Sequence, residues 1–316
     1  MSGTRRRGRG GLLLACVSSV ALTLAVPAPA GAYTLGNHAE ITRAALPWQP
    51  LTEDQMASPV RGAVVASDVD PAYRHQGPMH CDNADWFPDG SYPRTIEDRN
   101  TELTACATGA LAQFEAAVAA ADGLVDERGR VSEGQTGLRA GCVWNGPERR
   151  AKCEVIRHLG LAWHAVEDFY AHSNWADVAG SGSLGLANPA GLARPEVAPF
   201  FAFARYRHMS DAAVRRDIVE RAPDELTTGC YEDLDSAGVQ QDCTDRVGHA
   251  DLAKDFRGMP RTRTEHNFDR AAVLAQEAVE RQWADFREAL RTTYPGGRGE
   301  LMVCALVHDT PWESCR

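Results

Sequence analysis

The stretch HLGLAWHAVEDFYAHSNW, residues 158–175, sets His164, Asp168 and His172 at steps of four. On an α-helix each such step rises about 6 Å and turns only about 40° past a full revolution, so the three side chains form a nearly straight row with ends about 12 Å apart. Imidazole nitrogens and carboxylate oxygens both bind zinc, at about 2.0–2.2 Å, so one ion does not reach both histidines. The row fits two or more ions, with Asp168 between them, because a carboxylate has two oxygens to share and an imidazole offers each metal one nitrogen. The alternative is a hydrogen-bonded His–Asp row that only holds a core together. Trp163, Phe169, Tyr170 and Trp175 read as core on either view.

Other segments carry ligand-type residues. ASDVDPAYRHQGPMHCDNADW (66–86) holds Asp68, Asp70, His75 and His80, either as ligands or as a solvated acidic turn. YTLGNH (33–38) places His38 at a helix start. Beyond His172 no histidine has an acid four positions on, since Ala212, Ala253 and Arg270 follow His208, His249 and His266 at that distance. His249, in HADLAKD, and His266, near Asp269, remain as candidates.

The elements that must position these residues read as helices. NHAEITRAAL (37–46) opens on an Asn cap and stops before Pro47. SPVRGAVVASD is a short apolar helix candidate. In ELTACATGALAQFEAAVAAADG, Leu103, Ala107, Ala110, Leu111, Phe114, Val118 and Ala121 recur at helical steps. Pro147 suits the first turn of a helix that runs to about Trp175. SDAAVRRDIVERA begins at a Ser cap. The longest run starts at a capping box of Thr262 and Glu265, with Phe268, Ala272, Ala275, Val279, Trp283, Phe286 and Leu290 as its apolar stripe. Strand alternation is scarce, and 180–196 and 222–248 read as surface loops. The predicted fold class is all-α, with helices around one shared core and loops stapled by disulfides.

Residues 1–32 read as a secretory signal peptide: basic TRRRGRG, an apolar run of about 16 residues, too short for a comfortable membrane span, then PAPAGA with cleavage after Ala32. Residues 33–316 are then a single secreted domain, and no other apolar run is long enough to cross a bilayer. Loss of four arginines leaves 29 Lys+Arg against 43 Asp+Glu, a net charge of about −14. Tight binding to a nucleic acid backbone is not favoured by that charge, though bound cations change the local sign. Eight cysteines remain, an even number that in an exported chain implies disulfides. Their spacing suggests sequential pairs: Cys81–Cys106, Cys142–Cys153, Cys230–Cys243 and Cys304–Cys315. With no C-x-x-C pair, a zinc site built from cysteine is the weaker reading.

Taken together, YTLGNH, the 66–86 segment and above all HAVEDFYAHSNW resemble the superfamily of bacterial zinc-dependent phospholipases C and fungal single-strand-specific zinc nucleases. The nearest likeness is to its heterokaryon-incompatibility C-like branch. The resemblance implies an orthogonal α-helical bundle around a cluster of two or three Zn²⁺ ions. It implies that Tyr33, as first mature residue, binds metal through its amino nitrogen and carbonyl. By the same resemblance His38, Asp68 or Asp70, His80, His164, Asp168 and His172 are metal ligands, with His249 as a further candidate. Two departures stand out. His172 follows Asp168 by four rather than six, and the second H-x₃-acid pair is missing. The implied function is hydrolysis of phosphate esters, phospholipase C-like, with zinc lowering the pKa of a bound water to about 7. Asp168 holds the nucleophile, and whichever of Asp68 and Asp70 is not a ligand takes the proton. The implied partner is a phosphate ester, such as a phospholipid headgroup. The alternatives are a zinc nuclease and a non-catalytic binding protein of the same fold.

Overall fold

The computed structural model describes residues 33–46, 62–138, 141–144, 150–264 and 266–315. Its α-helices are, in chain order, α1 (Leu35–Ala45), α2 (Ala66–Val69), α3 (Ile96–Ala120), α4 (Glu133–Thr136), α5 (Ala151–His172), α6 (Phe203–Tyr206), α7 (Asp211–Arg221), α8 (His249–Leu252), α9 (Asn267–Thr293), α10 (Arg298–Val307) and α11 (Pro311–Ser314). Among the described residues the only β-type pairing is isolated bridges, so the class is all-α. Gly31–Arg316 forms one compact unit. The signal sequence proposed for 1–32 and Pro147 both lie outside the described residues.

The centre of the fold is α5. Every residue from Leu159 to His172 is buried, as expected of a helix apolar around most of its circumference. It packs on α3 and α9, and α1 lies across α9 and α5. Gly160 permits one close approach. A Cβ there would fall 2.5 Å from the Cβ of Ala63, so the 62–64 segment rests directly on α5. Below the polar row, Phe169, Tyr170, Trp175, Phe200 and Phe201 form an aromatic cluster, with the Trp175 indole N–H donating to the Glu196 carbonyl at 2.8 Å.

Four helix starts differ from the sequence reading. α5 begins at Ala151 behind an extended Arg150, so position 147 is not in its first turn. α1 begins at Leu35, two residues before the predicted Asn cap, because the Asn37 amide donates instead to the Asp255 carbonyl at 2.6 Å. α3 begins at a reciprocal capping box of Thr95 and Asp98, which lies ahead of the apolar stripe the sequence singles out. α9 begins at Asn267, and the Thr262 hydroxyl serves the preceding turn by donating to the Met259 carbonyl at 2.9 Å. Glu265 lies outside the described residues.

By length and composition, Ile96–Leu124 is a 29-residue stretch apolar enough to cross a bilayer, where the sequence reading finds no such run after the leader. Leu103, Ala107, Ala110, Phe114 and Ala117 of this stretch are buried in the core that α3 shares with α5.

All four sequential disulfides are present: Cys81–Cys106, Cys142–Cys153, Cys230–Cys243 and Cys304–Cys315. Such bridges are compatible with an oxidising, extracellular setting. Thiol titration of denatured, unreduced protein is expected to find no free thiol in residues 33–316. Two or more would contradict the framework.

Candidate metal centre

The row on α5 divides between two clusters of buried side chains. In the first, His164 Nε2 lies 2.9 Å from Asp168 Oδ2 and 3.1 Å from His80 Nδ1. His80 Nδ1 is 3.0 Å from the same Asp168 oxygen, and His38 Nε2 is 3.0 Å from the other, Oδ1. Asp68 completes the group, its Oδ1 3.7 Å from His164 Nε2 and 3.9 Å from His80 Nδ1. In the second cluster, Asp82 Oδ1 lies 3.2 Å from His172 Nδ1 and 3.0 Å from His249 Nδ1. Asp255 closes it, 3.3 Å from His172 Nε2 and 3.5 Å from His249 Nε2.

These are sets of ligand-type atoms that lie within 4.8 Å of one another and could hold metal: His38, Asp68 and His164; His80, His164 and Asp168; Asp82, His172 and His249. The first two share His164. Cys304, His308 and Cys315 also converge, but their sulfurs are bonded to each other.

The fit to a cation is tested by atoms that lack partners. Seven buried ligand-type atoms of the two clusters make no hydrogen bond: Nε2 of His38, His80, His172 and His249, Oδ2 of Asp68, and Oδ1 of Asp168 and Asp255. Leaving such a group unsatisfied in a core costs about 1–3 kcal/mol each. His38 Nε2 and Asp168 Oδ1 face each other at 3.0 Å without hydrogen-bond geometry. A cation between such pairs would satisfy both sides at once, and imidazole and carboxylate are the donor set of zinc.

Outer contacts aim the imidazoles. His164 Nδ1 donates to the Val64 carbonyl at 2.8 Å, an approach that Gly160 makes possible, and this leaves Nε2 as the free lone pair. His172 Nδ1 lies 3.0 Å from the His80 carbonyl. His38 Nδ1 pairs with Glu167 Oε2 at 2.6 Å, and the Thr42 hydroxyl donates to the other Glu167 oxygen at 2.7 Å. Lys254 docks the His249–Asp255 segment on the end of α5. Its ammonium donates to the Ser173 carbonyl at 2.8 Å and to Asp177 at 3.1 Å, and Arg261 grips both Asp177 oxygens. Gly229 sits between the pieces. Its N–H donates to the His172 carbonyl at 3.1 Å, and a Cβ there would lie 2.4 Å from the His249 Cα.

Not every sequence candidate joins the clusters. Asp68 does and Asp70 does not: the Asp70 carboxylate accepts from the Ala72 N–H at 2.9 Å and pairs with Arg157 at 3.4 Å. His75 is exposed and pairs with Asp233, and His266 is exposed beside Asp269. Tyr33 is fully buried with its ring edge-on to His38 at 5.5 Å, and the Thr34 N–H donates to the Asp255 carbonyl at 3.1 Å. The chain at 33–34 therefore touches a residue of each cluster. Three residues escaped the sequence reading. Asp82 follows His80 by two, and Asp255 follows His249 by six. Glu167 adjoins Asp168. An acid four beyond a histidine faces it only along one continuous helix, whereas α8 ends at Leu252 and the chain then turns Asp255 back.

Without metal, the clusters are neutralised by protons. Burial would lower His38, but Asp168 and Glu167 outweigh it and raise the imidazole to about 10. Burial likewise opposes charge on His249, and Asp82 carries it to about 9. Burial would raise Asp168, but His164, His38 and His172 hold it well below the usual carboxylate range. Asp255 is lowered against its burial by His172 and His249.

A raised folded-state pKa gives stability that is complete below the unfolded value near 6.5 and disappears as pH rises through the folded value. Chelator-treated protein should therefore lose thermal stability from about pH 7 toward pH 10, through the values near 9 and 10 for His249 and His38. If a metal cation fills the clusters, protein loaded with it should not show this loss, because the cation would replace the protons. Melting curves across that range, with and without chelator, check this. A flat profile for the chelated protein would contradict it.

No family model, curated protein or solved structure matches the chain.

Proposed function

We propose that the protein is a secreted zinc-dependent hydrolase of phosphate esters, of the phospholipase C-like kind. The observation that supports this most directly is the convergence of seven unpartnered, buried ligand atoms in two adjoining clusters. His38, Asp68, His80, His164 and Asp168 would hold metal in the first, and Asp82, His172, His249 and Asp255 in the second. Bound zinc supplies positive charge for the phosphoryl oxygens and a water acidic enough to ionise near pH 7.

The protein's own groups do the rest. Asp168 uses both oxygens, one toward His38 and one toward His80 and His164, and so fixes the spacing within the first cluster. Glu167, Val64 and the His80 carbonyl fix the imidazole orientations. Asp68 is the carboxylate of that cluster open to solvent, at 12% exposure, with one oxygen unpartnered. As a ligand it does not serve as the free base, and Asp70, the acid outside the cluster, is held by Arg157 and the Ala72 N–H. The acidic chain favours a lipid headgroup over a polynucleotide as the ester.

Asp168→Ala is expected to remove more zinc than His164→Ala, since Asp168 serves more neighbours, and both should lose phosphodiesterase activity. Metal analysis of the variants, with assays on phosphatidylcholine and single-stranded DNA with and without chelator, tests the reading. Full metal occupancy in both variants would sink it. Zinc without turnover on any phosphate ester would leave a binding protein.

An α-amino group has a pKa near 7.7–8.0 and can offer zinc a lone pair near neutral pH, whereas a peptide nitrogen cannot. Protein that retains residues before Tyr33 should therefore bind one metal fewer and lose most of its activity. Equal zinc content in the extended and processed forms would refute the amino-terminal ligand.

A further inference from the structure

We propose that the Cys81–Cys106 disulfide is a positioning element of the metal centre, and that zinc binding depends on its being oxidised. This rests on the metal reading above. Cys81 stands directly between His80, which belongs to the first cluster, and Asp82, which belongs to the second. One three-residue arm therefore serves both clusters and lies against α5, with Cys81 Sγ 2.9 Å from the Ala165 carbonyl. Its backbone is unusual: Cys81 and the non-glycine Asn83 have φ of 52° and 66°, in the left-handed region that bulky residues occupy only where the surroundings hold them.

The surroundings here are specific. The Asp82 N–H donates to the Gly77 carbonyl at 3.1 Å, and the Asn83 N–H to the Gly229 carbonyl at 2.9 Å. His172 Nδ1 reaches the His80 carbonyl at 3.0 Å. The covalent tie is the bridge to Cys106, a buried residue of α3, the helix that packs along α5. The disulfide thus references His80 and Asp82 to α3, which packs along the α5 helix that carries His164, Asp168 and His172. Its formation takes two thiols to one disulfide, with two protons and two electrons passing to a dithiol–disulfide oxidant of the exporting compartment. A chain still in a reducing compartment does not load its metals.

The test compares zinc affinity, by competition with a chromogenic chelator, in the full sequence expressed and secreted into oxidising medium. Cys81→Ala/Cys106→Ala should bind zinc roughly 10- to 100-fold more weakly while keeping its helical circular dichroism. Cys304→Ala/Cys315→Ala, which removes a bridge between α10 and the segment after α11, should bind as wild type. Wild-type affinity in the first variant, or an equal loss in both, overturns the proposal. Should the first variant fail to fold, wild-type protein is titrated with a phosphine reductant, and released zinc is compared with alkylation of each cysteine. Release is expected to follow Cys81 and Cys106. Release that follows Cys304 and Cys315, or retention after Cys81 is alkylated, overturns the proposal. Wild-type protein that binds no zinc refutes the metal reading itself, whereas zinc held regardless of the bridge refutes only this inference.

Discussion

Asp168 is buried in the middle of α5 with both oxygens facing imidazoles, and Asp82 and Asp255 are buried with it while Asp68 lies at the edge. Taking ions out of water is costly unless opposite charge and hydrogen bonds meet them there. The rest of the structure is arranged around that demand. Five histidines, from α1, the 80–85 loop, both ends of the α5 row and α8, converge on the four carboxylates. Protons can balance the charge, but they leave seven ligand atoms unpartnered. Cations would balance the charge and satisfy those atoms together.

Holding the imidazoles in ligand geometry requires fixed tautomers, and for His38, His164 and His172 the fold supplies these with Glu167 and two backbone carbonyls. Val64 reaches His164 because Gly160 lets the 62–64 segment lie on α5. Glu167 turns away from the row that Asp168 serves and holds His38. Burial pushes the Glu167 carboxyl up, despite its bonds from His38 and Thr42. At the far end, Lys254 satisfies the Ser173 carbonyl at the terminus of α5 with its ammonium, where a cation also complements the helix dipole. The next residue, Asp255, is thereby set against His172 and His249.

The aromatic residues of the α5 stretch have a different part. Trp163, Phe169, Tyr170 and Trp175 are buried in the core, where their area stabilises the helix that carries the polar row. A polar face this demanding needs such a counterweight, because packing rather than propensity holds most helices in place.

The sequence by itself determined the helical class, the sequential disulfides and the existence of the α5 row, because each is encoded in spacing along one chain: the 3.6-residue period, short cysteine loops and steps of four. The acid of 66–70 that enters the first cluster could not be read this way. Asp68 and Asp70 are two residues apart, and only the end of α2 at Val69, with Arg157 waiting for Asp70, separates them. Tertiary structure alone placed Asp82 and Asp255 in the second cluster. Asp82 follows two positions after His80, beyond a left-handed Cys81, and Asp255 comes around the end of a four-residue helix. Neither spacing belongs to a regular element. Their convergence on His172 is set by a disulfide, a buried lysine and a glycine contact, which bring together parts of the chain far apart in sequence.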